Sequence, residues 1–144
     1  MFSKACEHGI KAVTYIATQS MEGNRVKIGA VSKHTGTPEA FTAKVLGLLA
    51  KCKILYSIKG PFGGFEMDSL QIRNTTLAEI VRSVDGDKVF TGCALGLKEC
   101  NSMKPCPMHY NFVKIRTDLK IMLENTTVHD LAKGLITGES MLVR

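Results

Sequence analysis

No apolar run in this chain approaches the ~20 residues needed to cross a bilayer. The opening MFSKACEHG lacks the basic-then-apolar order of a secretory signal. Five cysteines, odd in number and lopsided in spacing, do not make a secreted disulfide scaffold. There is no P-loop, no nucleophile elbow and no paired acid site, and the four histidines have no catalytic spacing. These absences argue against a membrane protein, an extracellular scaffold and an enzyme. They leave a cytoplasmic protein whose thiols stay free to ligate metal. What the chain does have is 144 residues, 44% of them hydrophobic, enough for one domain or a small domain with an appendage. Its net charge of +6 favours an anionic partner, nucleic acid first.

Hydrophobic periodicity orders the elements. Phe2, Cys6, Ile10, Val13 and Ile16–Ala17 recur at helical spacing, and Glu22-Gly23-Asn24 then makes a turn. Residues 25–28 (RVKI) read as a short strand, and Gly29 to His34 as a brief helix stopped by Gly36. Pro38 suits the first turn of the next helix, with Thr37 as its cap. That helix turns Phe41, Val45, Leu48 and Leu49 to one side. Its other side carries Glu39, Ala40, Ala43, Lys44 and Gly47, small and polar enough for close approach to another surface. A short helix, a glycine turn and a longer helix make a helix-turn-helix. Residues 54–58 and 64–67, joined by Lys59-Gly60-Pro61-Phe62-Gly63, read as a β-hairpin, the wing that follows such a motif. Thr76 and Glu79 have capping-box spacing ahead of a helix with Leu77, Ile80, Val81 and Val84 on its buried face, ended by Gly86. A long helix is expected from about His109 to Glu124, with Phe112, Ile115, Leu119 and Met122 along one stripe. Residues 125–130 (NTTVHD) repeat the cap pattern of 74–79 (NTTLAE), and beyond Gly134 the tail is weakly specified.

Three of the five cysteines stand in one loop, CALGLKECNSMKPCPMH, which supplies Cys93, Cys100, Cys106 and His109. Gly92, Gly96, Pro105 and Pro107 prevent it from continuing as a helix, so something else must shape it. With little apolar surface around them, these are poor candidates for buried structural cysteines, the reading given to Cys6 and Cys52. Three thiolates and an imidazole suit a tetrahedral zinc, although the paired C-x-x-C knuckles are missing. Loosely spaced cysteines on a flexible loop also suit the wider iron–sulfur cluster. Spacing alone leaves both open.

The chain resembles the Rrf-type winged-helix regulators, among them the iron–sulfur assembly regulator IscR and the nitric-oxide sensor NsrR. The likeness runs through SKACEHGIKAVTYIA, TGTPEAFTAKVLGLLAKCKIL, the wing SIKGPFGGFEM, TTLAEIVRSVDG, the three-cysteine loop and the long helix ending LENTTVHDLA. It implies a mostly α fold with a small β-hairpin wing. The expected division is a winged helix-turn-helix over 1–86, a cluster-binding loop over 87–108 and a dimerisation helix with its tail over 109–144. It also implies a homodimer and an iron–sulfur cluster held by Cys93, Cys100 and Cys106. His109 is the fourth ligand on the IscR pattern, and Glu7 the alternative on the NsrR pattern. The first cysteine gap is one residue longer than the family's usual one. The function implied is a DNA-binding transcription regulator that senses redox state, nitric oxide or cluster status. Its rivals are a zinc-stabilised DNA-binding protein without sensing and an accessory protein for cluster delivery.

On a double-stranded operator, Thr37, Glu39, Ala40, Ala43 and Lys44 would meet base edges and phosphates in the major groove. Lys33 and Lys44 would neutralise phosphates. Lys59, Gly60, Pro61, Phe62 and Gly63 would reach the minor groove or its phosphates. The plainer alternatives are solvated lysines, a Glu39 that favours its own helix N-terminus, and a Phe62 packed under its hairpin.

Overall fold

A computed structural model describes residues 1–142. The last two positions of the 109–144 segment lie outside the described residues. Helix α1 (Lys4–Met21) is the central element, with Cys6, Ala12, Val13, Ile16 and Ala17 fully buried. Ser3 caps it, accepting from the Cys6 N–H at 3.0 Å, and its own N–H donates to Asp85 at 2.9 Å. Helices α2 (Ile28–Thr35) and α3 (Glu39–Lys51) follow as the helix-turn-helix, and Gly36 supplies the left-handed turn between them at φ 67°. Both pack on α1.

Strands β1 (Tyr56–Ile58) and β2 (Gly64–Glu66) pair antiparallel, with Tyr56 opposite Glu66 and Ile58 opposite Gly64. The tip needs glycine. A Cβ on Gly63 would stand 2.1 Å from the Ile58 carbonyl oxygen, and Gly64 has φ 143°. The expected strand over 25–28 is reduced to a bridge between Val26 and Phe65, because the chain enters α2 at Ile28 before a second pair can form.

Helix α4 (Ser69–Asn74) was not anticipated. It starts from a capping box in which Asp68 accepts from the Gln71 N–H at 2.7 Å and Gln71 returns a bond to the Asp68 N–H. Helix α5 (Leu77–Asp85) carries the expected Thr76–Glu79 box, though Val84 is only half-buried. A single turn, α6 (Lys88–Thr91), precedes the cysteine loop. Helix α7 (His109–Glu124) has the expected bounds, and α8 (Val128–Ile136) begins at a second box, Thr127 with Asp130. The two repeated cap segments lie against each other. The Leu77 N–H donates to the Thr126 carbonyl and the Val128 N–H to the Thr75 carbonyl, both at 2.9 Å. The tail past Gly134 therefore includes the last turn of a helix that packs on α1.

Three local expectations are corrected. Thr37 does not cap α3: Pro38 occupies the cap position with ψ 144°, and the Thr37 hydroxyl donates back to Thr35 at 3.4 Å. Leu48 is exposed. Thr42 and Leu46 join Val45 and Leu49 on the buried side, since α3 packs against both α1 and α5. Cys6 is buried as expected, but Cys52 is exposed, at the C-cap of α3 just ahead of the buried Ile54 and Leu55.

Candidate nucleic-acid interface and metal centre

Glu39, Ala40, Ala43, Lys44 and Gly47 are all exposed on one side of α3, as their spacing requires. Lys33 on α2 is exposed too, and Thr37 in the turn is half-buried. In the wing, Lys59, Gly60 and Pro61 are exposed and Gly63 is buried. Phe62 is 88% exposed at the tip, so it does not pack under its own hairpin.

Two cations that the sequence did not single out hold that tip. Arg25 engages Glu66 with both Nε (3.1 Å) and Nη2 (3.2 Å), while its Nη1 donates to the Phe62 carbonyl at 2.9 Å. Lys27 Nζ donates to the Pro61 carbonyl at 2.7 Å. The signal was available in the alternating Arg25-Val26-Lys27. Val26 is buried and bridged to Phe65, so its neighbours face outward along the hairpin.

The cysteine loop is anchored at the start of α7. His109 is the first residue of that helix and is buried, with its N–H donating to the Cys106 carbonyl at 3.0 Å. Its Nδ1 lies 3.3 Å from Cys100 Sγ. Two turns further along α7, Arg116 donates from Nη2 to Cys100 Sγ at 3.2 Å and from Nη1 to the Gly92 carbonyl. Cys93 stands earlier on the same loop, with Cys106 among the groups that act on it. Its thiol is held below the ordinary range first by the backbone N–H groups of Leu97 and Leu95, then by Cys106 and Arg116. Beside these residues is an open cleft of ≈ 680 Å³ lined by Lys88, Thr91, Leu97, Cys93 and Cys100 among others.

Of the four expected donors, Cys100 and His109 are in direct contact, while Cys106 acts on the Cys93 thiol. Among the described residues no three His, Cys, Asp or Glu side chains converge closely enough to hold a metal ion. The chemistry of the set nonetheless fits a thiophilic iron centre, being three soft thiols and an imidazole. Arg116 Nε is also buried with no acceptor among the described residues, which suits an electron-rich group beside the thiols. Glu7 is half-buried on α1 and pairs with Lys4 at 3.0 Å, in a cavity with His8, Lys11, Thr37 and Phe41. Cys6 is of a different kind, buried in the core with its thiol pushed up to about 12, first by burial and then by Asp85.

A helix-turn-helix with an exposed recognition side, a hairpin wing beside it and a thiol loop docked on a long helix define a winged-helix DNA-binding regulator. The profile of the Rrf2 family, described as an iron-dependent transcriptional regulator, matches residues 2–134. The chain belongs to this family, whose members are transcription regulators and not enzymes. An HTH-type transcriptional regulator of Aquifex aeolicus is 26% identical over 133 residues, which is 91% of this chain and 90% of the relative. An rrf2-like regulator of Rhodobacter capsulatus is 21% identical over 138 residues, 91% of each chain. CymR, the global cysteine regulator of B. subtilis, superposes with a TM-score of 0.75 at 20% identity, covering 92% of this chain and 96% of its own. IscR of T. potens gives 0.74 at 16% identity over 98% and 92%. At these identities the likeness speaks for the fold. No helix among the described residues is long and apolar enough to cross a membrane.

Proposed function

We propose that this regulator senses redox state, nitric oxide or iron–sulfur status through a cluster held by Cys93, Cys100, Cys106 and His109. The observation that carries the reading is that a buried imidazole and a guanidinium of α7 both meet the Cys100 thiol, on the loop that also carries Cys93 and Cys106. When bound, the cluster supplies a centre that oxygen, nitric oxide or iron shortage can alter. The chain's part is to draw its four donors together, which tightens the loop between Gly92 and Met108 against α7. His109 is the favoured fourth ligand, since it already stands 3.3 Å from Cys100, whereas Glu7 is engaged with Lys4. A nitrogen or oxygen ligand at one site leaves a labile bond, useful in a sensor.

The regulator acts as a homodimer in a cytoplasmic setting. The support for pairing is the apolar surface that α7 leaves exposed, at 56% for Ile115 and 49% for Met122, beside half-buried Phe112 and Leu119. Pairing along α7 would set the angle between the two DNA-binding units, so tightening of the loop changes which operator geometry is favoured. The DNA is read by Thr37, Glu39, Ala40, Ala43 and Lys44 in the major groove, with Lys33 on phosphate and the 59–63 wing alongside.

The test is an anaerobic absorption spectrum with iron and sulfide analysis, for the wild type and Cys100→Ala. Visible bands with matching iron and sulfide, lost in the variant together with a change in operator affinity, are expected. A colourless protein containing zinc would replace the cluster with a structural metal. A variant that binds every operator as the wild type does would end the sensing role.

A further inference from the structure

A loop rich in glycine, proline and thiols has few hydrogen bonds of its own, so its position is set by whatever it leans on. Arg116 is that support. It is half-buried on α7, and one guanidinium spans both limbs of the loop, reaching the Gly92 carbonyl ahead of Cys93 and Cys100 Sγ beyond it. Arg116 is seven residues from His109, so the two share one face of the helix and meet Cys100 from positions two turns apart. The planar fork makes this double contact possible. A lysine offers a single point charge and cannot bridge the two limbs in the same way. Phe112 and Leu119, four and three residues away, are its neighbours on the same helix surface.

We infer that Arg116 is a positioning residue that joins the state of the cysteine loop to α7. This inference rests on the loop being the cluster site. In the metal-free protein, Arg116 holds Gly92 and Cys100 against the helix. In the loaded protein it keeps both contacts, and its buried Nε, which has no acceptor among the described residues, donates to the cluster's sulfur-rich surface. Donation to the sulfurs raises the reduction potential, because it stabilises the more negative state.

The experiment compares wild type, Arg116→Lys, Arg116→Gln and the exposed control Lys114→Gln. In metal-free protein, amide hydrogen exchange across residues 92–106 is expected to rise about tenfold in both Arg116 variants, the equivalent of one hydrogen bond from a charged donor. The control and the rest of the fold stay as in the wild type. In reconstituted protein the midpoint potential moves negative in Arg116→Gln, with Arg116→Lys between it and the wild type. Exchange in both variants equal to wild type, or a potential that does not move, overturns the inference. A wild type that takes up neither iron nor sulfide overturns the cluster reading and the Nε donation built on it, while the exchange arm still decides whether Arg116 holds the loop. Should Arg116→Gln fail to fold, Arg116→Lys carries both readouts.

Discussion

Arg25→Ala isolates what keeps the wing in place. The side chain makes a forked pair with Glu66 and a third bond to the Phe62 carbonyl at 2.9 Å. Arg25 and Glu66 are about one-third exposed, at 36% and 34%, so solvent screening limits the ion pair to about 0.2–1 kcal/mol. The bond to the Phe62 carbonyl adds about 1 kcal/mol at a partly solvated site. Together they hold the tip by about 1–2 kcal/mol, which corresponds to about 5- to 30-fold in the opening equilibrium. Three paired residues make a weak hairpin by themselves, so this is a large share of the wing's local order. Amide exchange at Phe65 and Val26, whose mutual bonds are 3.0 and 2.7 Å, should speed up by that factor while α1 keeps its protection. Operator affinity should fall without a change in its salt slope, because Arg25 is neutralised by Glu66 in the free protein. Glu66→Gln should give a smaller version of the same effect, since it keeps the Phe62 bond. Unchanged protection at Phe65 and Val26 would refute the reasoning, and a salt slope lower by about one would make Arg25 a phosphate contact instead.

Lys59→Ala should weaken operator binding and reduce the salt slope by about one, read from affinity titrations across salt concentrations; an unchanged slope removes Lys59 from the interface. Thr127→Ala takes away the hydroxyl that accepts from the Asp130 N–H at 3.2 Å and should cost about 1 kcal/mol, measured by chemical unfolding. His8 is buried with neither ring nitrogen bonded to any described residue, and burial, then Lys11, holds its pKa below the ordinary 6.5. The folded state keeps that imidazole neutral while the unfolded chain takes up a proton. Stability is therefore full above about pH 6.5 and declines as pH falls below it. Against His8→Leu, the wild-type curve should be steeper there by at most about 1.4 kcal/mol per pH unit, and parallel curves would remove His8 from the acid response.

Legibility followed the physics of each element. Thr76-x-x-Glu79 announced α5 because a capping box uses only local bonds, and the same logic applied to Asp68-x-x-Gln71 would have found α4. The exposed side of α3 was readable because Glu39, Ala40, Ala43 and Lys44 obey helical spacing. Leu48 and Cys52 were misread because their burial depends on where α1 and α5 meet α3, a tertiary matter. Cys93, Cys100, Cys106 and His109 were visible as donors from residue type and loop composition. Their contacts were not, because those of Cys100 with His109 and Arg116 depend on where the loop docks on α7. The seven-residue interval from His109 to Arg116 was the one clue on offer.

The doubled threonine cap also has a mechanical consequence. Its two crossed backbone bonds, with Arg82 to Glu124 at 3.0 Å nearby, clamp the far end of α7 to α5 and α8. At 1.5 Å rise per residue, the sixteen-residue helix is a lever of about 24 Å with its pivot at Asn125. A tilt of about 5° about that pivot would move His109 by about 2 Å, so a displacement of that size at the thiol end asks for only a small rotation at the double cap.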